Sequence, residues 1–139
     1  MTIIVSHTIS MGHRLPSYKG ICNSPHGHNV TVVTRIETAE FLDFKEVSDE
    51  LRQILQDFDH AMVLQVTDPL VEALAAFGFR LVLLNVEPST ENIAQHVFNE
   101  LVRSSYDVQE VTVHETAKYA ASVYLADDLV QRILMEERA

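Results

Sequence analysis

Two segments near the N-terminus alternate between apolar and polar residues with a period of two. They cover residues 2–11 and 26–36, and this period is typical of strands that bury one face. The residues between them are rich in Pro, Gly, Asn and Ser, which predicts a long loop over 14–25. Two such strands with an irregular connection predict an antiparallel pair. The apolar positions in phase are Ile3, Val5, Ile9, Met11, Val30, Val32 and Ile36.

Helical spacing replaces this alternation in the middle of the chain. Apolar residues recur at helical intervals over residues 44–58, and Asp43 or Ser48 is the expected cap. A second clear helix begins after Ser89 or Thr90, which are both suitable capping residues. Its apolar face consists of Ile93, Val97 and Leu101, flanked by Ala94 and Phe98.

A short helix and three further strands complete the expected elements. Asp68 and Pro69 predict the start of a helix that continues to Ala76, and Gly78 is its expected stop. The predicted strands cover residues 80–86, 108–115 and 119–125.

The order of these elements places helices in the middle of the chain and antiparallel strand pairs at both ends, which predicts an α+β fold. A small sheet covered by helices on one face leaves its edges open, and this favours pairing with other subunits. The length of 139 residues suits one domain. We expect that domain over residues 1–125 and a polar helical tail over 126–139.

Composition restricts the compartment and the partners. A single cysteine, Cys22, rules out a disulfide within the chain and suits a reducing compartment. No apolar run reaches the roughly 18 residues of a membrane helix, and the N-terminus lacks the pattern of a signal peptide. We therefore expect a soluble cytoplasmic protein that does not bind membranes.

The charge is unevenly distributed along the chain. The net charge of −10 argues against general nucleic-acid binding. Residues 1–36, however, contain Arg14, Lys19 and Arg35 and no Asp or Glu. This segment either holds an anionic ligand or a metal, or it is a strand-rich segment that uses few carboxylates. Charge alone leaves both interpretations open.

The strongest local signal for chemistry is the pair His26 and His28. Residues two apart on a strand point to the same side, so the two imidazoles lie together. His13 follows the first strand, where an antiparallel neighbour brings it alongside. Three imidazoles with a fourth position open are the usual arrangement of catalytic zinc. An isolated pair of this kind is more often structural, but the third histidine and the acid-free segment favour a metal.

Cys22 lies four residues before His26 and has three possible roles. As a fourth zinc ligand it would close the site and make it structural. As a buried thiol it would be inert, which is common for a lone cysteine. As a thiolate beside the metal it would act in catalysis.

Three other titratable residues are candidates for the site. The carboxylate of Asp59 can orient the imidazole of His60 and raise its basicity, although a histidine at a helix C-terminus is equally explained by the helix dipole. Glu115 ends a strand on its apolar face. It is either a charge that reaches solvent or a buried anchor for a planar pair of donors.

At this point several motifs converge on one family. The run Cys22–Asn29 after His13 resembles the C-x3-H-G-H signature of the 6-pyruvoyl tetrahydropterin synthase and 6-carboxytetrahydropterin synthase family. The resemblance covers residues 2–125, and the order of the motifs makes it specific. The further matches, in order along the chain, are Leu42–Phe44, Asp59–Leu64, Pro88–Asn92 and Val113–Thr116.

The resemblance implies a tunnelling fold, in which a four-stranded antiparallel sheet carries two main helices on one face. Three subunits would close a barrel, and two barrels would stack into a homohexamer with the sites between subunits. Barrel closure would also cover the open sheet edges.

The resemblance also implies an enzyme, a zinc-dependent lyase acting on 7,8-dihydroneopterin triphosphate. Its expected products are 6-carboxy-5,6,7,8-tetrahydropterin, acetaldehyde and triphosphate, in the route to 7-deazaguanines such as queuosine precursors. Zinc would be held by the three histidines and the pterin by Glu115, with Glu91 helping to line the pocket. Cys22 would be the base and Asp59–His60 the partner acid and base. The residues implied as metal ligands are His13, His26 and His28.

Three alternatives remain open from the sequence. The chain is a 6-pyruvoyl tetrahydropterin synthase, or it is a non-catalytic zinc- or pterin-binding protein of the same fold. In the third, the motif match is coincidental, and Cys22 joins the three histidines in a structural zinc site.

Overall fold

A long antiparallel hairpin organises the computed structural model, which describes residues 1–126. Strand β1 (Thr2–His13) pairs with strand β2 (His26–Glu37) along its whole length. The register runs without a break from the pair Thr2 and Glu37 to the pair His13 and His26. The two alternating segments are thus strands as predicted, and β1 continues two residues beyond the expected end.

Four more strands extend this hairpin into one six-stranded sheet with the order β4-β3-β1-β2-β5-β6. The antiparallel strand pairs predicted at both ends of the chain are confirmed as β1–β2 and β5–β6. Strand β3 runs parallel to β1 and meets it only at Gly12 and His13, and β4 runs parallel to β3. The new strands are β3 (Met62–Gln65), β4 (Leu81–Leu84), β5 (Asp107–His114) and β6 (Ala120–Tyr124).

The prediction of a four-stranded antiparallel sheet is therefore wrong in the number of strands, because the sheet is mixed and has six. The strand that sequence patterning missed is β3. It has four residues with two buried in succession, so it lacks the alternation that reveals a half-buried strand. Its neighbour β4 lies inside the segment predicted as a strand, residues 80–86, but is shorter.

The helices begin where the sequence supplies side-chain caps. Asp43 Oδ1 accepts a hydrogen bond from Lys45 N at 2.9 Å and starts α1 (Phe44–Leu55). Ser89 Oγ accepts one from Asn92 N at 3.2 Å and starts α3 (Thr90–Arg103). The short α2 (Leu70–Ala76) ends before Gly78, whose φ of +73° favours glycine, as expected for a helix stop.

The apolar core lies between one face of the sheet and helices α1 and α3. Both helices direct their apolar stripes at this face, and the strands supply alternate residues to it. The opposite face is polar, and side chains such as Thr8 and Thr31 hydrogen-bond across neighbouring strands there. The core residues from the helices are Val47, Leu51, Leu55, Ile93, Ala94, Val97, Phe98 and Leu101.

The expected domain boundary remains a prediction. The tail predicted over residues 126–139 lies outside the described residues except for Ala126. Within residues 1–126, none of the helices has the length and apolar character required to span a membrane.

Replacing Leu51 with alanine should lower the free energy of unfolding by about 2–5 kcal/mol, because its fully buried side chain would leave a cavity in the core. Chemical denaturation of the wild type and variant measures this difference. Gln53→Ala, at an exposed position of the same helix, is the matched control and should change stability by less than about 0.5 kcal/mol. Equal effects of the two changes would contradict the packing of α1 described above.

Candidate metal centre

Three histidines meet at one end of the β1–β2 hairpin. His13 is the last residue of β1 and is paired with His26, the first residue of β2. His28 lies two residues further along β2 and therefore projects from the same face. One ligand atom from each ring lies within 4.8 Å of the others. The structure thus brings together the three residues that the sequence predicted as metal ligands.

Two glycines face each other inside this group. Gly27 separates the two histidines of β2 and is paired with Gly12 of β1. A Cβ at Gly27 would lie 3.1 Å from the Met11 carbonyl oxygen, closer than ordinary van der Waals contact. The small residue therefore allows the strand backbones to approach where the imidazoles converge.

Backbone carbonyls fix the orientation of two of the rings. His13 Nδ1 lies 2.7 Å from Pro88 O, and His26 Nδ1 lies 2.7 Å from Ser24 O. Because a carbonyl oxygen only accepts, each Nδ1 carries the proton and donates. The Nε2 atoms of both rings are then left with free lone pairs, as in metal-binding histidines oriented by an outer partner.

The chemistry of the donor atoms fits a cation. His13 Nε2 and His28 Nε2 are buried and have no hydrogen-bond partner within residues 1–126. Burial lowers the pKa of His13, against the opposing effect of the Pro88 hydrogen bond, so this ring is neutral at pH 7. Neutral imidazole nitrogen is the form that binds metal ions. Three imidazole nitrogens with an open fourth position suit catalytic zinc.

Glu115 joins this group from β5. It follows the last residue of that strand, and its Oε1 lies 3.3 Å from His13 Nε2 and 3.5 Å from His28 Nε2. Thr90 Oγ1 donates a hydrogen bond of 3.1 Å to the same oxygen. A carboxylate oxygen and a free imidazole lone pair repel each other unless a cation or proton lies between them. This contact is a second feature that favours a metal ion.

Cys22 lies in the loop beside the histidines but outside their group. It is the middle residue of a short 3-10 turn, Ile21–Asn23, and its side chain is half-buried. Within residues 1–126, Cys22 is not a member of the group of three histidines whose ligand atoms all lie within 4.8 Å of one another. The geometry therefore favours an open three-ligand site over a closed site with Cys22 as the fourth ligand.

Asp59 and His60 form a hydrogen-bonded pair at the outer edge of β1. Asp59 Oδ1 lies 2.9 Å from His60 Nδ1 and accepts a second bond of 3.0 Å from Ser10 N. The Ser10 amide and, to a smaller degree, the imidazole lower the pKa of the Asp59 carboxyl. The ionised carboxylate therefore holds the proton on Nδ1, and Nε2 of this ring is available as a base.

The backbone also fixes this pair. His60 N donates a 2.6 Å hydrogen bond to Ser10 O, and His60 adopts a left-handed conformation with φ of 60°. Its side chain is 77 % exposed. The side-chain hydrogen bonds of Asp59 and His60 within residues 1–126 join them to each other and to Ser10, and none of them involves the three histidines.

Glu91, the remaining candidate, is exposed in the first turn of α3 beside Thr90.

Sequence reasoning missed the residues that orient the site. The Pro88 carbonyl and the Thr90 hydroxyl both lie in the motif that was interpreted as a helix start. A backbone carbonyl has no residue signature, so Pro88 could not be found from the sequence. The Thr90 hydroxyl was visible, but its partner Glu115, which follows β5, is set by the tertiary fold alone.

Comparison with known proteins identifies the family and relatives of this chain. The family model described as 6-pyruvoyl tetrahydropterin synthase matches residues 2–126. A protein of Halobacterium salinarum named "Probable 6-carboxy-5,6,7,8-tetrahydropterin synthase" is 32% identical over 120 residues, covering 81% of this chain and 79% of its own. A 6-carboxy-5,6,7,8-tetrahydropterin synthase of Rickettsia bellii is 26% identical over 111 residues, covering 73% and 80%.

Solved structures share the fold at lower sequence identity. An uncharacterized protein from Wolinella succinogenes matches with a TM-score of 0.75 and 22% identity, over 90% of this chain and 98% of that one. The 6-pyruvoyl tetrahydropterin synthase of Caenorhabditis elegans matches with a TM-score of 0.65 and 20% identity, over 89% and 94%. With the family model covering nearly all described residues, the chain belongs to the 6-pyruvoyl tetrahydropterin synthase family of enzymes.

Proposed function

We propose that this chain is a zinc-dependent 6-carboxy-5,6,7,8-tetrahydropterin synthase of the cytoplasm. It converts 7,8-dihydroneopterin triphosphate and water to 6-carboxy-5,6,7,8-tetrahydropterin, acetaldehyde and triphosphate, a step toward 7-deazaguanines such as queuosine precursors. The observation that carries the proposal is the convergence of three imidazoles beside the carboxylate of Glu115. The names of the curated relatives support the 6-carboxy product.

The donor set suggests a division of roles. Bound zinc would supply a Lewis acid that polarises the hydroxyl groups of the substrate side chain and stabilises negative charge developing there. The histidines that hold it are His13, His26 and His28. Glu115 accepts hydrogen bonds from the N–H groups at the edge of the pterin ring, a planar pair of donors that suits a carboxylate.

The proton transfers fall to two separate groups in this proposal. The Cys22 thiolate removes a proton from the substrate side chain. His60, held by Asp59 with its proton on Nδ1, exchanges a proton through Nε2. Two groups are needed because the reaction removes a proton at one carbon and delivers one elsewhere.

The position of Asp59 and His60 supports a site shared between subunits. The pair lies on the edge of β1, and β3 covers that edge only at Gly12 and His13. Strand β6 forms the other end of the antiparallel part of the sheet. In the proposed barrel, β6 of one copy pairs with the open part of β1 in the next, and each Asp59–His60 pair serves a neighbouring site. The assembly is a hexamer of two stacked trimers.

The test of the proposed reaction is product analysis. Purified, zinc-loaded protein is incubated with 7,8-dihydroneopterin triphosphate, the pterin product is identified by mass, and acetaldehyde is assayed. We expect 6-carboxytetrahydropterin and an equimolar amount of acetaldehyde. The second candidate, 6-pyruvoyl tetrahydropterin synthase, is favoured by the name of the family model and predicts a pyruvoyl product without acetaldehyde. Recovery of unchanged substrate would contradict both.

Elemental analysis should find about one zinc per chain, because residues 1–126 form one three-histidine group that could hold a metal ion. His28→Ala should reduce zinc to the background level, since it removes one of three ligands. His7→Ala is the matched control, because His7 lies on β1 away from this group, and it should retain the full zinc content. Zinc retained by both variants would place the metal elsewhere.

Cys22→Ala should retain zinc and the fold but lose turnover by about 10²–10⁴-fold, the usual contribution of a positioned base. Initial rates at saturating substrate, zinc content and the circular dichroism spectrum measure the three properties. Loss of zinc together with Cys22 would instead make the thiol a ligand and the site structural.

A further inference from the structure

A buried ion pair joins the loop that carries Cys22 to the segment between β3 and α2. Arg14 Nε lies 3.0 Å from Asp68 Oδ2, and the Asp68 side chain is 0% exposed. Arg14 Nε and Asp68 Oδ2 make no aligned hydrogen bond with any described residue. The main polar interaction of each atom is therefore its Coulomb attraction to the other. The second oxygen, Asp68 Oδ1, accepts a 2.9 Å bond from Leu70 N at the start of α2.

The two residues that follow Arg14 are hydrogen-bonded to the segment that carries Cys22. Leu15 N donates a 2.9 Å hydrogen bond to the carbonyl oxygen of Cys22, and Leu15 O accepts one from Tyr18 N. Asn23, the neighbour of Cys22, donates from Nδ2 to Pro16 O at 2.8 Å. The Cys22 carbonyl and the side chain of the next residue are therefore attached to the residues that come directly after Arg14.

The other anchor of this loop is more exposed to solvent. Ser17 N donates to Glu87 Oε1 at 2.6 Å, and this contact lies at the exposed end of the loop. The Arg14–Asp68 pair lies at the buried end, next to His13, where attraction between charges is screened less by water. It is thus the contact best placed to fix where the loop leaves the sheet.

We propose that Asp68 and Arg14 are positioning residues for Cys22, and we call them the Arg14–Asp68 brace. The brace fixes the exit of the loop from β1, and the Leu15–Cys22 hydrogen bond transmits that position to the thiol. This inference rests on the proposed function, in which Cys22 takes a proton from substrate bound at the histidines. A shift of about 1 Å in such a group costs of the order of 10²-fold in rate.

The test compares Asp68→Asn, Arg14→Gln and the double variant, all loaded with zinc. Four quantities are measured for each: zinc content, kcat, KM and the rate at which iodoacetamide alkylates Cys22. We expect zinc content and KM to stay near wild type, kcat to fall of the order of 10²-fold, and alkylation to accelerate as the loop opens. The kcat of the double variant should be no lower than that of the more impaired single variant, because the two residues act through one interaction.

Two further variants separate positioning from general stability. Asp49→Asn removes a carboxylate from an exposed ion pair with Arg52 on α1 and should leave all four quantities unchanged. Arg14→Lys keeps the positive charge and should recover part of kcat and slow alkylation again. If Asp68→Asn does not fold, the comparison of Arg14→Gln with Arg14→Lys decides the question in the same way.

Several results would overturn the brace. The first is an unchanged kcat and alkylation rate in Asp68→Asn and Arg14→Gln. The second is a loss of zinc that parallels the loss of kcat. The third is a double variant in which the two losses of kcat add. The alkylation rate requires no substrate, so it remains decisive if the wild type lacks synthase activity. In that case the proposed function fails, but faster alkylation of Cys22 in Asp68→Asn would by itself still support the brace.

Discussion

The register of the β1–β2 hairpin is the constraint on which the rest of the site depends. Pairing of His13 with His26 places both on the helix-covered face, and His28 follows on that face two residues later. Because side chains alternate along a strand, a slip of one residue would move the β2 histidines to the opposite face. The unbroken pairing of β1 with β2, and the apolar positions in phase along it, make such a slip costly.

The candidate site occupies the end of the hydrophobic core, and this position explains its electrostatics. The same burial that packs Val30 and Val32 under the helices also desolvates His13 and lowers its pKa. Glu115 accepts a hydrogen bond from Thr90, the first residue of α3, beside these rings. The imidazole nitrogens and the Glu115 carboxylate are thus placed around one point.

The sequence predicts those parts of the fold and site in which one type of residue recurs at a regular spacing. Alternation revealed β1 and β2, helical spacing revealed α1 and α3, and the histidine spacing revealed the convergent rings. Strand β3 escaped because a run of three apolar residues followed by Gln65 has no alternation and does not define a period. The Arg14–Asp68 contact escaped for a different reason. Arg14 was visible as a cation in an acid-free segment, but its counter-ion comes from a distant part of the chain.

The hairpin origin of the three histidines has a consequence for how the chain acquires its site. All three histidines lie within residues 13–28 and are joined by a single loop, so their mutual contacts have low contact order. Glu115, by contrast, belongs to the far end of the chain and reaches the group only after β5 has paired with β2. The hairpin contains all three histidines, whereas the carboxylate beside them is brought there by the completed sheet. The proposed metal ligands and the proposed pterin anchor therefore depend on different levels of folding.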